Sequence, residues 1–235
     1  MDINNETVGI SAEIAIADSF GVPITDDYRR RGEPTIIASV GNVVAEAFDN
    51  YNIPHPIRHI AEGGNPVDFL LHGGATLSVK TNMKKLGMVA PQRVGQVSSV
   101  TYFQHFRKFY DYIPQTYMEK TVIFKETAIA RIDEFMEIYW ENLFDCDYLL
   151  YFYNVLNGAG VNRYPDFIVL NKRDTPVWER EKFTFTKTAA NWNESCTIKY
   201  AGVSIGEFQI HNNRDNFKFR FKMSGILKLS ERGEI

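Results

Sequence analysis

The chain has 235 residues, of which 44% are hydrophobic and 23% charged, with a formal net charge of −3 at pH 7. This composition fits one globular domain, or a core with an insertion, and does not by itself indicate a nucleic-acid binder. No apolar run approaches membrane-spanning length, the N-terminus has no signal-peptide pattern, and Cys146 and Cys196 have no metal-ligand spacing. We therefore expect a cytoplasmic protein in a reducing compartment, without a membrane partner.

The first half of the chain is predicted to form two helices followed by three short strands. Apolar residues recur with helical spacing over residues 7–20, and Gly21 and Pro23 then provide a stop signal. Residues 25–35 are polar and are expected to form a loop. The remaining predicted elements of this half are a helix at 40–51 and strands at 57–61, 66–71 and 75–81.

The second half begins with helical patterns and ends with alternating ones. A helix is predicted at 97–110, helical spacing continues from residue 121, and a further helix is expected after Asp145. The last predicted elements are a strand at 166–170 and a hairpin formed by residues 204–211 and 217–222. This order of elements predicts an α+β fold with a mixed sheet.

An acid, a hydroxyl and a lysine converge on one side of the hairpin predicted at 66–81. Asp68 lies on its first strand, and Ser78 and Lys80 lie two residues apart on its second, so the latter two share a face. These groups are the minimum needed to hold a divalent metal and align a water that attacks a phosphodiester. An acid entering a strand and a lysine leaving one are also common surface features, so the spacing alone leaves both interpretations open.

A magnesium site is the metal centre that these residues suggest. Mg²⁺ prefers oxygen ligands, usually one or two carboxylates together with waters and substrate oxygens. Asp68 can supply one carboxylate, and Val79 can lend its backbone carbonyl. A second carboxylate is predicted to come from Glu46 on the preceding helix, with Glu13 on the first helix as the alternative.

Asp68, then nine intervening residues and Ser78-Val79-Lys80, resembles the signature of the PD-(D/E)XK nucleases. In that superfamily the acid and the lysine lie on adjacent strands of a common α-β-β-β-α-β core. The sequence departs from the pattern at Ser78, which stands where a second acid is usual, and at Pro66, which lies two residues before the acid. The departure at Ser78 leaves the number of protein metal ligands open and makes Glu46 more important.

The rest of the chain resembles a small type II restriction endonuclease. The resemblance implies a restriction-endonuclease-like fold in which residues 1–235 form a single nuclease domain with a mixed central sheet flanked by helices. Within it, a catalytic core is expected at about 40–110, a helical insertion at 111–160 and a β-rich DNA-recognition part at 161–235.

This resemblance implies a Mg²⁺-dependent site-specific deoxyribonuclease that cuts a short palindromic site in double-stranded DNA. The implied catalytic residues are Asp68, Ser78, Lys80 and Glu46. Implied partners are duplex DNA, a second copy of the chain in a homodimer, and a cognate DNA methyltransferase of the same system. Two alternatives stay open: a structure-specific repair or recombination nuclease, and a DNA-binding module with a degenerate core, which the serine at position 78 would explain.

Base reading is predicted for a polar hairpin tip near the C-terminus. Arg suits the edge of guanine, and Asn or Gln suits that of adenine, because each can form two hydrogen bonds to one base. Lysines and polar residues after Lys80 resemble the DNA-facing loop of restriction enzymes. The DNA-binding candidates are Lys84, Lys85, Gln92, Arg93, Gln96, Gln209, His211, Asn212, Asn213 and Arg214. A solvated, Asn-rich turn is the alternative interpretation of the tip.

Three further patterns carry less weight. Pro165-Asp166 precedes a predicted strand, but no acid-x-Lys follows at a suitable distance, since Arg180 stands two residues before Lys182. The five histidines have no zinc-site spacing. Arg29, Arg30 and Arg31 are candidates for phosphate contacts, which give affinity but no sequence information.

Overall fold

The computed structural model describes residues 3–62, 65–158, 160–211 and 214–235. Its helices are α1 (Asn5–Phe20), α2 (Asp26–Arg29), α3 (Pro34–Tyr51), α4 (Ser99–His105), α5 (Tyr117–Ala130), α6 (Ile132–Leu143) and α7 (Met223–Glu231). Its strands are β1 (Pro56–His59), β2 (Phe69–Leu71), β3 (Thr76–Thr81), β4 (Met88–Val89), β5 (Gln96–Ser98), β6 (Tyr148–Tyr153), β7 (Leu156–Asn157), β8 (Gly160–Val161), β9 (Asp166–Asn171), β10 (Phe183–Phe185), β11 (Ser195–Tyr200), β12 (Val203–Ile210) and β13 (Asn216–Lys222). The predicted α+β class with a mixed sheet is confirmed.

The chain divides into two compact units, each built from two separate segments. The first unit comprises residues 1–87 and 144–173, and the second comprises 88–143 and 174–235. The three-part division predicted from the sequence has other boundaries than these two units. The difference arises because one sheet in each unit joins segments that are distant in the chain. Within the part of the chain that the structure describes, no helix is both long and apolar enough to cross a membrane.

The first unit contains a mixed sheet in the order β1-β2-β3-β6-β9. Strands β1, β2 and β3 form an antiparallel meander, β6 runs parallel to β3, and β9 runs antiparallel to β6. Leu77 and Val79 of β3 join a core with residues of α1 and α3. Because side chains alternate along a strand, Ser78 and Lys80 lie on the opposite face from this core.

Helix α1 is buried on several sides, which explains its apolar composition. Its start is capped by the side chain of Asn4, which accepts a hydrogen bond from the backbone N–H of Thr7 at 2.9 Å. It ends at Phe20 and is capped by Gly21, whose φ of 68° suits a residue without a Cβ. The helix therefore carries Glu13, which is 8% exposed, inside the protein rather than on its surface.

The second unit has an antiparallel sheet in the order β10-β11-β12-β13-β4, with β5 also paired to β13. Its core is largely aromatic. Phe124 of α5 stacks on Phe217 of β13 with ring centroids 4.4 Å apart, and it also contacts Trp192 and Phe208. The predicted C-terminal hairpin is confirmed as β12 and β13, which pair antiparallel.

Several local predictions were wrong. The segment after Asp145 forms β6 instead of a helix, and the four central residues of this strand are buried. The prediction failed because a continuous apolar run fits a buried strand as well as a helix. The predicted loop at 25–35 contains α2 and the first two residues of α3. The helix predicted at 97–110 is shorter, since residues 97 and 98 belong to β5 and α4 ends at His105. Strands β10 and β11 and helix α7 were not predicted.

Candidate active site

The carboxylate of Asp68 is held at the start of β2 by the neighbouring strand. One of its oxygens, Oδ2, accepts hydrogen bonds from the backbone N–H of Val79 at 2.6 Å and from Ser78 Oγ at 3.2 Å. The backbone N–H of Asp68 donates to the carbonyl of Leu77 at 2.9 Å. The pairing of β2 with β3 therefore sets the position of this acid, and it explains why an acid and a serine ten residues apart meet.

The surroundings of Asp68 raise the pKa of its carboxyl from 3.8 to about 6. Burial is the main cause, and the charge of Glu13 adds to it. Lys80 and the hydrogen bonds from Val79 and Ser78 act in the opposite direction. The structure thus brings together Asp68, Ser78 and Lys80, and it adds Glu13 to their electrostatic environment.

The raised pKa of Asp68 predicts a pH-dependent stability. Because the neutral acid is favoured in the folded state, this group's stabilising contribution is present below about pH 4 and is lost as pH rises through about 6. In EDTA, the free energy of unfolding from urea titrations should fall more between pH 4 and pH 7 in the wild type than in Asp68→Asn. Parallel pH profiles for the two proteins would contradict the shift.

A second polar cluster surrounds Glu13. Its Oε2 atom accepts a hydrogen bond from Tyr28 Oη at 2.6 Å and lies 2.8 Å from His59 Nε2. The side chains of Glu13 and His59 are 11% and 2% exposed. Tyr28 and His59 were missed as site residues because they come from α2 and β1, and no sequence spacing links them to α1.

Glu46 occupies a different place from Glu13. It is exposed on α3, accepts a hydrogen bond from Asn50 at 3.5 Å, and lines a surface depression together with Asp166. The charges that shift the pKa of Asp68 are those of Lys80 and Glu13, and the charge of Glu46 is not among them. Of the two glutamates considered as the second acid, the structure therefore favours Glu13.

Asp166, from the second Pro-Asp pattern, accepts a hydrogen bond from Asn154 at 2.5 Å in the same depression as Glu46. Among the described residues, no group of three or more His, Cys, Asp or Glu side chains forms a ready-made metal site. Val79, the predicted carbonyl ligand, lies on β3 and contributes its N–H to Asp68. Any metal at Asp68 would therefore need ligands beyond these protein side chains.

The arginines of residues 29–31 are held within the first unit. Arg29 forms an ion pair with Asp18 at 2.6 Å, Arg31 pairs with Glu6 at 2.7 Å, and Arg30 pairs with Asp27. Two of these pairs connect α2 or its C-terminal end to α1. The structure thus assigns this basic run a part in holding α2 in place.

The other basic and polar candidates are divided between the two units. Lys84 and Lys85 are exposed after β3 in the first unit. Gln92, Arg93 and Gln96 belong to the second unit, where Arg93 and Gln96 are exposed and Gln92 is half-buried.

The hairpin of β12 and β13 has one polar and one apolar face, as predicted. Gln209 Nε2 donates to Glu207 Oε1 at 2.5 Å, and that oxygen also accepts from Arg220 at 3.2 Å. Lys218 lies opposite Gln209, and burial together with the charges of Arg220 and Arg214 lowers its pKa. The polar face therefore carries a compact group of positive side chains. Its members Lys218 and Arg220 were missed as site candidates, although their alternation with phenylalanines along β13 is a visible signal.

The tip of that hairpin is described in part. Arg214 is exposed, and His211 is half-buried with its carbonyl accepting a hydrogen bond from Tyr117 Oη at 3.0 Å. Asn212 and Asn213 lie outside the described residues. The apolar side of the hairpin, including Phe208 and Ile210, is buried.

Comparison with known proteins finds one close enough in sequence to be informative. The chain is 33% identical over 173 residues to the type II restriction enzyme CviAII of Paramecium bursaria Chlorella virus 1. The match covers 74% of this chain and 46% of the relative, so the chain spans about half the length of that protein. No family model and no solved structure matches the chain. This chain is therefore similar to a type II restriction enzyme along about three quarters of its length.

Proposed function

We propose that this chain is a sequence-specific endodeoxyribonuclease of the type II restriction class, built on a PD-(D/E)XK core. The observation that carries the proposal is the Asp68 carboxylate, held by Ser78 and Val79 under the charge of Lys80 on an antiparallel hairpin. The similarity to a type II restriction enzyme supports the same activity independently of this geometry.

The donor set suits Mg²⁺. Burial and a neighbouring carboxylate raise the pKa of Asp68, so a dication would compensate two acids that otherwise disfavour each other. Asp68 and Glu13 are the carboxylates that would hold the ion, with the carbonyl of Val79 as a further oxygen ligand. When bound, Mg²⁺ supplies positive charge for the phosphate and makes a coordinated water more acidic.

The protein's own residues have distinct roles in the proposed reaction. Lys80 orients the attacking water and stabilises the negative charge that develops on the phosphate. Ser78, in the place of a second acid, donates to Asp68 Oδ2 and so leaves Oδ1 as the freer oxygen of that carboxylate. The backbone N–H of Val79 fixes the same oxygen at 2.6 Å, which keeps the carboxylate oriented without a second acid on β3.

Sequence recognition is assigned to the polar face of the β12–β13 hairpin. A two-stranded ribbon fits the major groove of DNA, and Gln209 and Arg214 carry the paired hydrogen-bonding groups that read base edges. Lys84, Lys85, Arg93 and Lys218 are assigned to phosphates, which give affinity and salt dependence. A short palindromic site would be matched by a homodimer, and a methyltransferase of matching specificity would protect the host's own DNA.

Digestion of a long unmethylated DNA tests the function directly. The protein is incubated with the DNA in Mg²⁺ or in EDTA, and the ends of the fragments are sequenced. Discrete fragments with one shared end sequence, formed with Mg²⁺ and not in EDTA, are the expected result. Cleavage confined to flaps or junctions would instead indicate a structure-specific repair nuclease, and binding without cleavage in Mg²⁺ or Mn²⁺ would indicate a non-catalytic DNA-binding module.

A further inference from the structure

Two side chains from different elements contact the buried carboxylate of Glu13. Both neighbours of its carboxylate, Tyr28 Oη and His59 Nε2, contact the same oxygen, Oε2. Since an ionised carboxylate oxygen only accepts hydrogen bonds, the Tyr28 hydroxyl donates to it, and His59 donates to it in the tautomer that carries a proton on Nε2. Among the residues that the structure describes, neither of these two groups contacts the second oxygen, Oε1, and together they restrict rotation of the carboxylate.

Each donor is itself held in place by packing and by the backbone. Tyr28 lies on α2, whose start is capped by Thr25 Oγ1 accepting from the N–H of Tyr28 at 3.2 Å. The ring of His59 is packed edge-on against Tyr28 at 4.7 Å and against Phe69 at 5.1 Å between centroids. The ion pairs of Arg29 with Asp18 and of Arg31 with Glu6 then fasten this segment to α1.

The same contacts connect the Glu13 cluster to Asp68. His59 pairs with Phe69, the residue after Asp68, in the β1–β2 ladder. The next residue, Ile60, donates its N–H to the carbonyl of Asp68 at 2.8 Å. A shift of β1 would therefore move the donor to Glu13 and the backbone of Asp68 together.

We propose that Tyr28 and His59 are positioning residues, which hold one oxygen of Glu13 so that the other, together with Asp68, binds a divalent cation. The inference rests on the function proposed above and adds residues outside the nuclease signature to its metal site. The partners behind a metal ligand fix its orientation, and their loss commonly weakens metal affinity by about 10- to 100-fold. Removing either donor should therefore weaken metal binding without unfolding the protein.

Calorimetric titration of the metal-free full chain with Mn²⁺ alone tests this. Tyr28→Phe and His59→Leu, which each remove one donor, should weaken Mn²⁺ binding about 10-fold. His59→Gln keeps an N–H that can reach Glu13 and should stay within about 3-fold of the wild type. The matched control is Tyr51→Phe, which removes the hydroxyl of an exposed tyrosine on α3 and should change nothing. Thermal unfolding in EDTA, measured for each variant, verifies that the proteins compared are folded.

Three outcomes would overturn the inference: no Mn²⁺ binding by the wild type, unchanged affinity in both Tyr28→Phe and His59→Leu, or equal losses in His59→Gln and His59→Leu. The last would show that the hydrogen bond is not the cause. Cleavage assays on the same proteins distinguish this failure from that of the proposed function. A wild type that cuts DNA while the variants bind Mn²⁺ normally refutes only the positioning roles, and a wild type that never cuts DNA refutes the nuclease.

Discussion

Lys80→Ala is expected to cut DNA at least about 10³-fold more slowly than the wild type while still binding it in the absence of metal. The charge of Lys80 acts on the Asp68 carboxyl. The lysine side chain lies on the face of β3 away from the core, so alanine at this position should leave the pairing of β3 with β6 intact. Single-turnover cleavage of a substrate that contains the recognised site measures the rate. Gel-shift titration in EDTA measures the binding.

The control for this substitution is Lys172→Ala. Lys172 is an exposed residue just after β9 in the same unit, and it has no role in the proposed chemistry. Its cleavage rate should match the wild type. Normal cleavage by Lys80→Ala would refute the assignment of the active site to this hairpin, whereas slow cleavage by both variants would show that the effect is not specific to Lys80.

Phe124→Ala is expected to lower the free energy of unfolding by about 3–5 kcal/mol, because it leaves a cavity in an aromatic core. The ring of Phe124 is fully buried, stacks on Phe217 at 4.4 Å, and contacts Trp192, Phe208 and Tyr102. Phe208 and Phe217 belong to the two strands of the β12–β13 hairpin, so the loss should also loosen that hairpin. Urea unfolding followed by tryptophan fluorescence measures the change.

Val122→Ala provides the comparison on the same helix. Val122 is 49% exposed, so its truncation should change stability by no more than about 0.5 kcal/mol. If the two substitutions cost the same, the stability of this unit would not depend on the Phe124 core.

Part of the candidate site could be predicted from the sequence because it is local. Asp68, Ser78 and Lys80 lie within thirteen residues on two strands joined by a tight turn, and strand alternation then sets which side chains share a face. The same reasoning predicted the polar and apolar faces of the β12–β13 hairpin. It failed after Asp145, where a continuous apolar run did not reveal whether the segment was a helix or a buried strand.

The choice of the second acid was not local. Both Glu13 and Glu46 lie on helices with suitable apolar faces, and periodicity does not tell which helix is turned towards Asp68. The structure places Glu46 at the surface beside Asp166, whereas Glu13 is buried between Tyr28 and His59. The ion pairs of Arg29 and Arg31 likewise could not be predicted, because their acidic partners on α1 are distant in the sequence.

The sequence by itself determined the hairpin with its acid, serine and lysine, the α+β class and the alternating C-terminal ribbon, because these depend on turn chemistry and on a period of two. Only the tertiary structure decided that the charge of Glu13 acts on Asp68, that Tyr28 and His59 contact Glu13, and that two discontinuous units share the chain. The physical reason is that these features arise from packing between segments far apart in sequence, which no local pattern encodes. Asp68 shows both levels: a local turn brings it to Ser78, and its pKa is raised mainly by burial, with a further contribution from the charge of Glu13 on a distant helix.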